Sequence, residues 1–276
     1  MAVIAMTREM GTLGKDVAQG LADQMGLKVV HHELVEHGLA ERLGVQESAV
    51  HRYLEGSASL LERWKIDGKR LSRYTAEEIL ELAQEGNVLI RGWGATALLR
   101  GIPHVLCVRV CAPMAFRERM MMERLGIKEA SVVRREIERN DAAHARTMHG
   151  LFGLNWENPL LYHLVLNTES VPIETCVKLV RLFAESPAFR ETEDSRSVIA
   201  DKLLETRIRA ALSDRLRVGI NAVGIEAAAR KGKVTLTGTV GETQSASEAE
   251  QLVRGVAGVT GVDNRILVVR TRAGSI

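Results

Sequence analysis

Aromatic residues are scarce in this chain: three Trp, three Tyr and four Phe in 276 residues. So few rings leave no stacking platform for single-stranded nucleic acid, and the core must be built from aliphatic side chains. The cysteines are Cys107, Cys111 and Cys176. An odd, sparse set excludes a secreted disulfide scaffold. Neither sign of charge dominates, with 37 basic and 35 acidic residues and a formal net charge of +2. That balance excludes a chain built to coat nucleic acid, and no nucleic-acid partner is expected, but it leaves room for a local anion site. No apolar run approaches the roughly 18 residues of a spanning helix. The opening run, Ala2 to Met6, breaks at Thr7-Arg8-Glu9, too early for a secretory segment. A cytoplasmic protein is the resulting expectation. What is present is 46% apolar and 26% charged residues, enough for a packed core and against global disorder. At about 100–200 residues per domain, the length suits one large domain or two ordinary ones.

The chain divides by pattern. Residues 2–6 read as a buried strand, followed by a glycine-bearing turn and a helix from Lys15 to about Met25 with Val17, Leu21 and Met25 on one face. Further strands are expected at 27–30, 88–90, 104–111 and 161–166, with helical, charged stretches between them. Apolar strands alternating with helices predict an α/β domain with a mostly parallel sheet and helices on both faces. Composition shifts at residues 186–198, a stretch with Pro187, serines and mixed charge that reads as a linker. Beyond it the order is helix (199–216), strand (222–227), strand (234–240), helix (242–254) and strand (263–269). That is a small α+β domain. The expected domains are therefore 1–185 and 199–271.

The turn after the first strand carries the chemistry. Backbone N–H groups there, with the positive end of the following helix, can face an anion. Gly11 and Gly14 permit close approach, and Lys15 supplies a mobile cation. Asp16 stands where phosphate-binding loops place a Ser or Thr for magnesium. The full GxxxxGK[ST] pattern is absent, because Glu9 stands where its first glycine belongs. Two glycines at a strand end also suit an ordinary turn. Arg134, Arg135, Arg139 and Arg146 form a basic stretch, and Arg117, Arg119 and Arg124 precede it. They suit phosphate oxygens, and equally the solvated helix faces that Glu118, Glu123, Glu136 and Glu138 would share. His31, His32 and His37 make no metal-binding spacing, and nothing resembles a nucleophile elbow.

The run Thr7-Arg8-Glu9-Met10-Gly11-Thr12-Leu13-Gly14-Lys15-Asp16-Val17-Ala18 resembles the opening signature of the cytidylate kinase-like family. The resemblance continues at Glu33-Leu34, at Ile90-Arg91-Gly92-Trp93-Gly94-Ala95, at Ala112-Pro113 and from Leu161 to Thr168, and covers about residues 1–185. It implies a P-loop nucleoside monophosphate kinase fold that moves a phosphoryl group from ATP to a pyrimidine nucleotide with Mg2+. Under it, Gly11, Thr12, Leu13, Gly14, Lys15 and Asp16 hold ATP, and Asp16 also serves the metal. Arg91 and Arg117 bind the acceptor, and Lys15, Arg139 and Arg146 act in catalysis. The sequence departs from the family at Leu13, where a glycine is usual, and at His31, Trp93, Asp141 and His163. These changes remove charges expected in acceptor binding and lid closure. The same fold without turnover, a nucleotide sensor, is the alternative reading.

Residues 201–270 resemble the BON domain family, best along Gly232 to Val240 and Val256 to Ile266. The resemblance implies association with a phospholipid surface or a protein partner. The glycines of these motifs are accounted for by tight turns and, at Gly238, by a bulge or a close backbone approach.

Overall fold

The computed structural model describes residues 1–54, 68–92, 94–216 and 224–269. The chain forms two compact units, Met1–Thr192 and Glu193–Ile276.

The first unit is built on a five-stranded sheet. Its strands are β1 (Val3–Arg8), β2 (Lys28–Val30), β3 (Val88–Arg91), β4 (Val105–Cys111) and β5 (Leu164–Asn167), in the order β2-β3-β1-β4-β5. Every pairing is parallel. β1, β3 and β4 are buried along nearly their whole length, as continuous apolar runs require when both faces are covered. On one face, Ile4, Met6, Leu89, Leu106, Val108 and Val110 form one core with Val17 and Leu21 of α1 (Gly14–Met25) and with Val177 and Val180. The last two come from the helix over Ile173–Ala184. The alternate residues face the other side, where the Thr7 and Thr96 hydroxyls bond at 3.0 Å. The remaining helices are α2 (His32–Leu43), α3 (Glu47–Leu54), α4 (Gly68–Glu85), α5 (Ala95–Leu99), α6 (Met114–Leu125) and α7 (Ala130–Phe152); the Ile173–Ala184 helix is α8.

β5 starts later than residue 161. Asn158 accepts the Leu160 N–H and sets a short 3-10 turn over Pro159–Leu161, so Leu161 is buried without joining the strand. His163, one of the departures from the family pattern, continues the ladder instead. Its N–H donates to the Cys107 carbonyl at 2.8 Å, and its Nδ1 accepts the Cys107 N–H at 2.9 Å. Partial burial lowers the pKa of this imidazole, which suits its role as an acceptor. Trp93 and residues 222–223 of the strand expected at 222–227 lie outside the described residues.

The carboxyl ends of β1, β3, β4 and β5 meet at one rim. The Gly92 N–H donates to Met6 O, the Glu9 N–H to Val110 O and the Thr168 N–H to Cys111 O. The chain runs outward from β1 to β2, returns to β3 beside β1, then crosses to β4 on the other side. Such a switch point is where open α/β sheets form a crevice.

The second unit comprises α9 (Glu193–Leu216), β6 (Glu226–Arg230), β7 (Lys233–Val240), α10 (Thr243–Arg254) and β8 (Gly261–Val268). α9 begins at Glu193, inside the stretch read from composition as a linker. β6 and β7 pair antiparallel, and β7 and β8 pair parallel. Leu204, Ile208 and Leu212 of α9 pack with Val234, Leu236, Ala249 and Val253. Gly238 has φ +132°, and a β-carbon there would run into the carbonyl oxygen of Gly224. Asp201 accepts the Lys231 and Gly232 N–H groups at the β6–β7 turn. Glu205 accepts the Ala229 N–H of β6 at 2.9 Å, and the Asn264 side chain accepts the Ile266 N–H of β8 at 3.1 Å.

Candidate functional site

The turn between β1 and α1 sits at the switch point and borders a cleft of about 290 Å³. Its walls are Arg8, Gly11, Thr12, Leu13, Gly14, Lys15 and Asp16, with Met120, Met121 and Arg124 of α6 opposite. All six residues expected to hold the donor nucleotide thus lie on one cleft. Leu13 caps α1 in the left-handed region at φ 57°. Its carbonyl accepts the Asp16 and Val17 N–H groups at 3.0 and 3.1 Å. The first N–H groups of a helix have no intrahelical acceptor, so the start of α1 carries the partial positive charge that favours an anion.

The two glycines answer to packing as well as to any ligand. Gly11 has φ +84°, and a β-carbon on it would stand 2.7 Å from the Arg117 carbonyl oxygen. One on Gly14 would stand 2.8 Å from Cβ of Arg8. The space that Gly14 leaves is therefore taken by the stem of Arg8 beside the cleft.

Glu9 replaces the first loop glycine and has a different task. Its carboxylate is buried, accepting from Arg109 Nη2 at 2.5 Å and from the Ala112 N–H at 3.3 Å, with Arg117 Nη1 at 3.5 Å. Arg117 in turn donates through Nε to the Met10 carbonyl at 2.7 Å and through Nη2 to both oxygens of Asp141 at 2.8 Å. Arg109 also donates to the Trp156 carbonyl and lies over that indole at 4.9 Å. Two buried guanidinium groups thus meet two carboxylates. Burial raises the Asp141 pKa against the pull of Arg117. Asp141, a departure from the family pattern, ties α7 to α6.

Arg8 and Arg124 stand outside this network. Burial, with Arg91 and Arg124 nearby, lowers the Arg8 guanidinium to about 10. Among the described residues neither Arg8 nor Arg124 has an ion-pair carboxylate. The ring of His144 meets that of Trp156 at a tilt of 58°, with 4.3 Å between centroids. Burial first, then the charges of Arg8 and Arg109, lowers this imidazole to about 4.

The other expected site residues are distributed differently. Arg91 is buried at the end of β3. Arg117 is buried with its guanidinium engaged by Met10, Glu9 and Asp141. Arg139 is exposed and pairs with Glu136 at 3.3 Å, and Arg146 is exposed on α7. Neither belongs to the cleft wall. Arg8 was not singled out as a ligand contact from sequence, although a charged residue closing an apolar strand directly before the turn is a signal for it.

Residues 3–170 match the model of the cytidylate kinase-like family. The chain belongs to that family. Residues 200–270 match the BON domain, so a cytidylate kinase-like unit is fused here to a BON unit. Two similar proteins are the cytidylate kinases of Pyrobaculum aerophilum and Pyrobaculum calidifontis. Each is 24% identical over 179 residues, which span 65% of this chain and 90% of the relative. A solved structure of an uncharacterized protein from Eubacterium ventriosum superposes with a TM-score of 0.54 at 16% identity. The superposition covers 67% of this chain and 99% of the other, a likeness of fold. The match of the cytidylate kinase-like unit to known cytidylate kinases is distant. No helix among the described residues is long and apolar enough to cross a membrane.

Proposed function

We propose that the first unit binds the polyphosphate of ATP along Gly11, Thr12, Leu13, Gly14, Lys15 and Asp16 and transfers a phosphoryl group to a pyrimidine nucleoside monophosphate. One observation carries this reading: Arg8, Arg124 and Lys15 border the same cleft at a helix start, and Arg8 and Arg124 have no carboxylate to neutralise them among the described residues. Arg8 is partly buried, and a partly buried cation without a counter-ion is costly unless an anion joins it; a polyphosphate is the anion that fits a turn after the first strand of such a sheet. Mg2+ suits the same cleft. Among the described residues no cluster of three His, Cys, Asp or Glu could hold a metal, but Mg2+ needs only one or two carboxylates when phosphates carry it. Asp16 would be that carboxylate, and the ion would offset charge on the phosphates. Arg91 at the rim and Arg139 and Arg146 on α7 are proposed to reach the acceptor and the transferring group on closure. The BON unit is proposed to associate with a phospholipid surface or a protein partner.

A second reading, nucleotide binding without turnover, draws support from the acceptor side. Arg117 is fully engaged by Asp141, Glu9 and Met10. The Phe152 ring sits against Gly94, leaving no room even for a β-carbon. Calorimetry with ATP and Mg2+, paired with coupled ADP detection on CMP, dCMP and UMP, separates the two. Binding with turnover supports the kinase, binding without turnover supports the sensor, and no binding refutes both. Lys15→Ala is expected to weaken ATP binding about tenfold, the size of one charge-assisted contact. Unchanged affinity in the folded variant would remove Lys15 from the site.

A further inference from the structure

Asn167 ends β5 and Thr168 follows it, and neither lines the cleft described above. Asn167 shapes the next turn: its side chain accepts the Glu169 N–H at 3.0 Å and its carbonyl accepts the Ser170 and Val171 N–H groups. Thr168 is buried, and its own N–H is fixed to Cys111 O at 3.1 Å. Its hydroxyl donates to the Thr12 carbonyl at 2.7 Å, with Cys111 O more distant at 3.5 Å.

A polyphosphate cradle must present N–H groups and turn its carbonyl oxygens elsewhere, because a carbonyl dipole facing a phosphate repels it. At this turn four carbonyls, those of Glu9, Met10, Thr12 and Leu13, are taken by other donors. Glu9 O accepts from the Thr12 hydroxyl at 2.8 Å, and Met10 O accepts from Arg117 Nε at 2.7 Å. Thr12 O accepts from Thr168, and Leu13 O accepts from the first turn of α1. In a trans peptide the C=O and the following N–H point in opposite directions. Fixing Thr12 O on Thr168 therefore turns the Leu13 N–H the other way.

We propose that Thr168 is a positioning residue for polyphosphate binding: its hydroxyl holds the Thr12–Leu13 peptide with the carbonyl away from the ligand and the N–H toward it. Arg117 does the same for the Met10–Gly11 peptide. This rests on the turn being a triphosphate site, as proposed above. A threonine with no ligand contact then sets the affinity from across the sheet.

The test uses the full chain, with ATP–Mg2+ and inorganic tripolyphosphate titrated by calorimetry into wild type, Thr168→Val, Thr168→Ser and Thr168→Cys, and the melting midpoint of each variant measured alongside. The expected result is about a tenfold loss of affinity for both ligands in Thr168→Val. Thr168→Ser should stay within about twofold of wild type, and Thr168→Cys, with its weak S–H donor, should fall between. A lower melting midpoint with wild-type affinity in Thr168→Val means a structural role only and overturns the proposal. If the valine variant fails to fold, wild-type affinity in Thr168→Cys overturns it. Wild type that binds neither ligand refutes the site itself, a failure distinct from binding that is indifferent to residue 168.

Discussion

Replacing Glu9 by Gln removes one charge from the middle of a buried network and keeps the shape. In the wild type, Arg109 Nη2 lies 2.5 Å from one carboxylate oxygen and Arg117 Nη1 3.5 Å from the other. Both guanidinium groups are largely excluded from solvent, with side-chain exposures of 9% and 6%. Arg117 keeps Asp141 in the variant, but Arg109 loses its carboxylate and faces a neutral amide oxygen, the Trp156 carbonyl and the faces of two rings. Breaking a buried pair by removing one partner costs about 3–5 kcal/mol. The retained Asp141 contact puts this case near the lower end, about 3 kcal/mol. With a urea slope of about 2 kcal/mol/M for a unit of this size, the midpoint of the first unit should fall by about 1.5 M. Equilibrium urea unfolding followed by far-UV circular dichroism reads that shift. A Glu9→Gln/Arg109→Met double variant should recover about half of the loss, since the stranded cation goes with it. The exposed Arg139–Glu136 pair is the control: Arg139→Ala should move stability by less than about 0.5 kcal/mol. A Glu9→Gln protein within 0.5 kcal/mol of wild type, or a double variant no better than the sum of its parts, would refute the account of the network.

Two further outcomes are expected. Gly11→Ala should destabilise the first unit by about 2–4 kcal/mol, because positive φ and the 2.7 Å approach to the Arg117 carbonyl both penalise a side chain; a midpoint shift smaller than that of an exposed control would count against it. The unfolded chain protonates His144 near its ordinary pKa of about 6.5, whereas the folded imidazole does so only near 4. Stability from this group is thus complete above about pH 6.5 and is lost as the pH falls toward 4, by at most about 3 kcal/mol. His144→Gln should flatten that part of the stability profile, and an unchanged difference between pH 7.5 and 4.5 would show that His144 does not carry it.

Much of the fold was legible in the residues because it follows from local pattern. Ala2 to Met6 is apolar without interruption and became a central strand of a parallel sheet. Gly238 sits in an alternating run where a bulge or a close backbone approach favours glycine, and Gly224 supplies the approach. Boundaries were harder. Leu161 reads as strand from its hydrophobicity, yet Asn158 folds that stretch into a turn. The start of α9 was hidden by the Glu, Asp and Ser residues of its first turn, which composition alone assigns to a linker. The charge network was illegible for a different reason. Glu9 and Arg109 are far apart in sequence and meet only because β1 and β4 are neighbours. From the chain alone Glu9 is a missing glycine, and in the fold it is the counter-ion of two arginines. The arginines of α7 show the converse: their number suggests a phosphate clamp, and a helix surface exposes Arg139 to solvent against Glu136.

The three-stranded sheet of the BON unit carries its own guards. Where β6 would offer an amide to a visiting strand, Glu205 already occupies the place, and Asn264 does the same on β8. Blunted rims of this kind resist edge-to-edge growth. A strand laid along either rim would therefore find the Ala229 or the Ile266 amide already bonded.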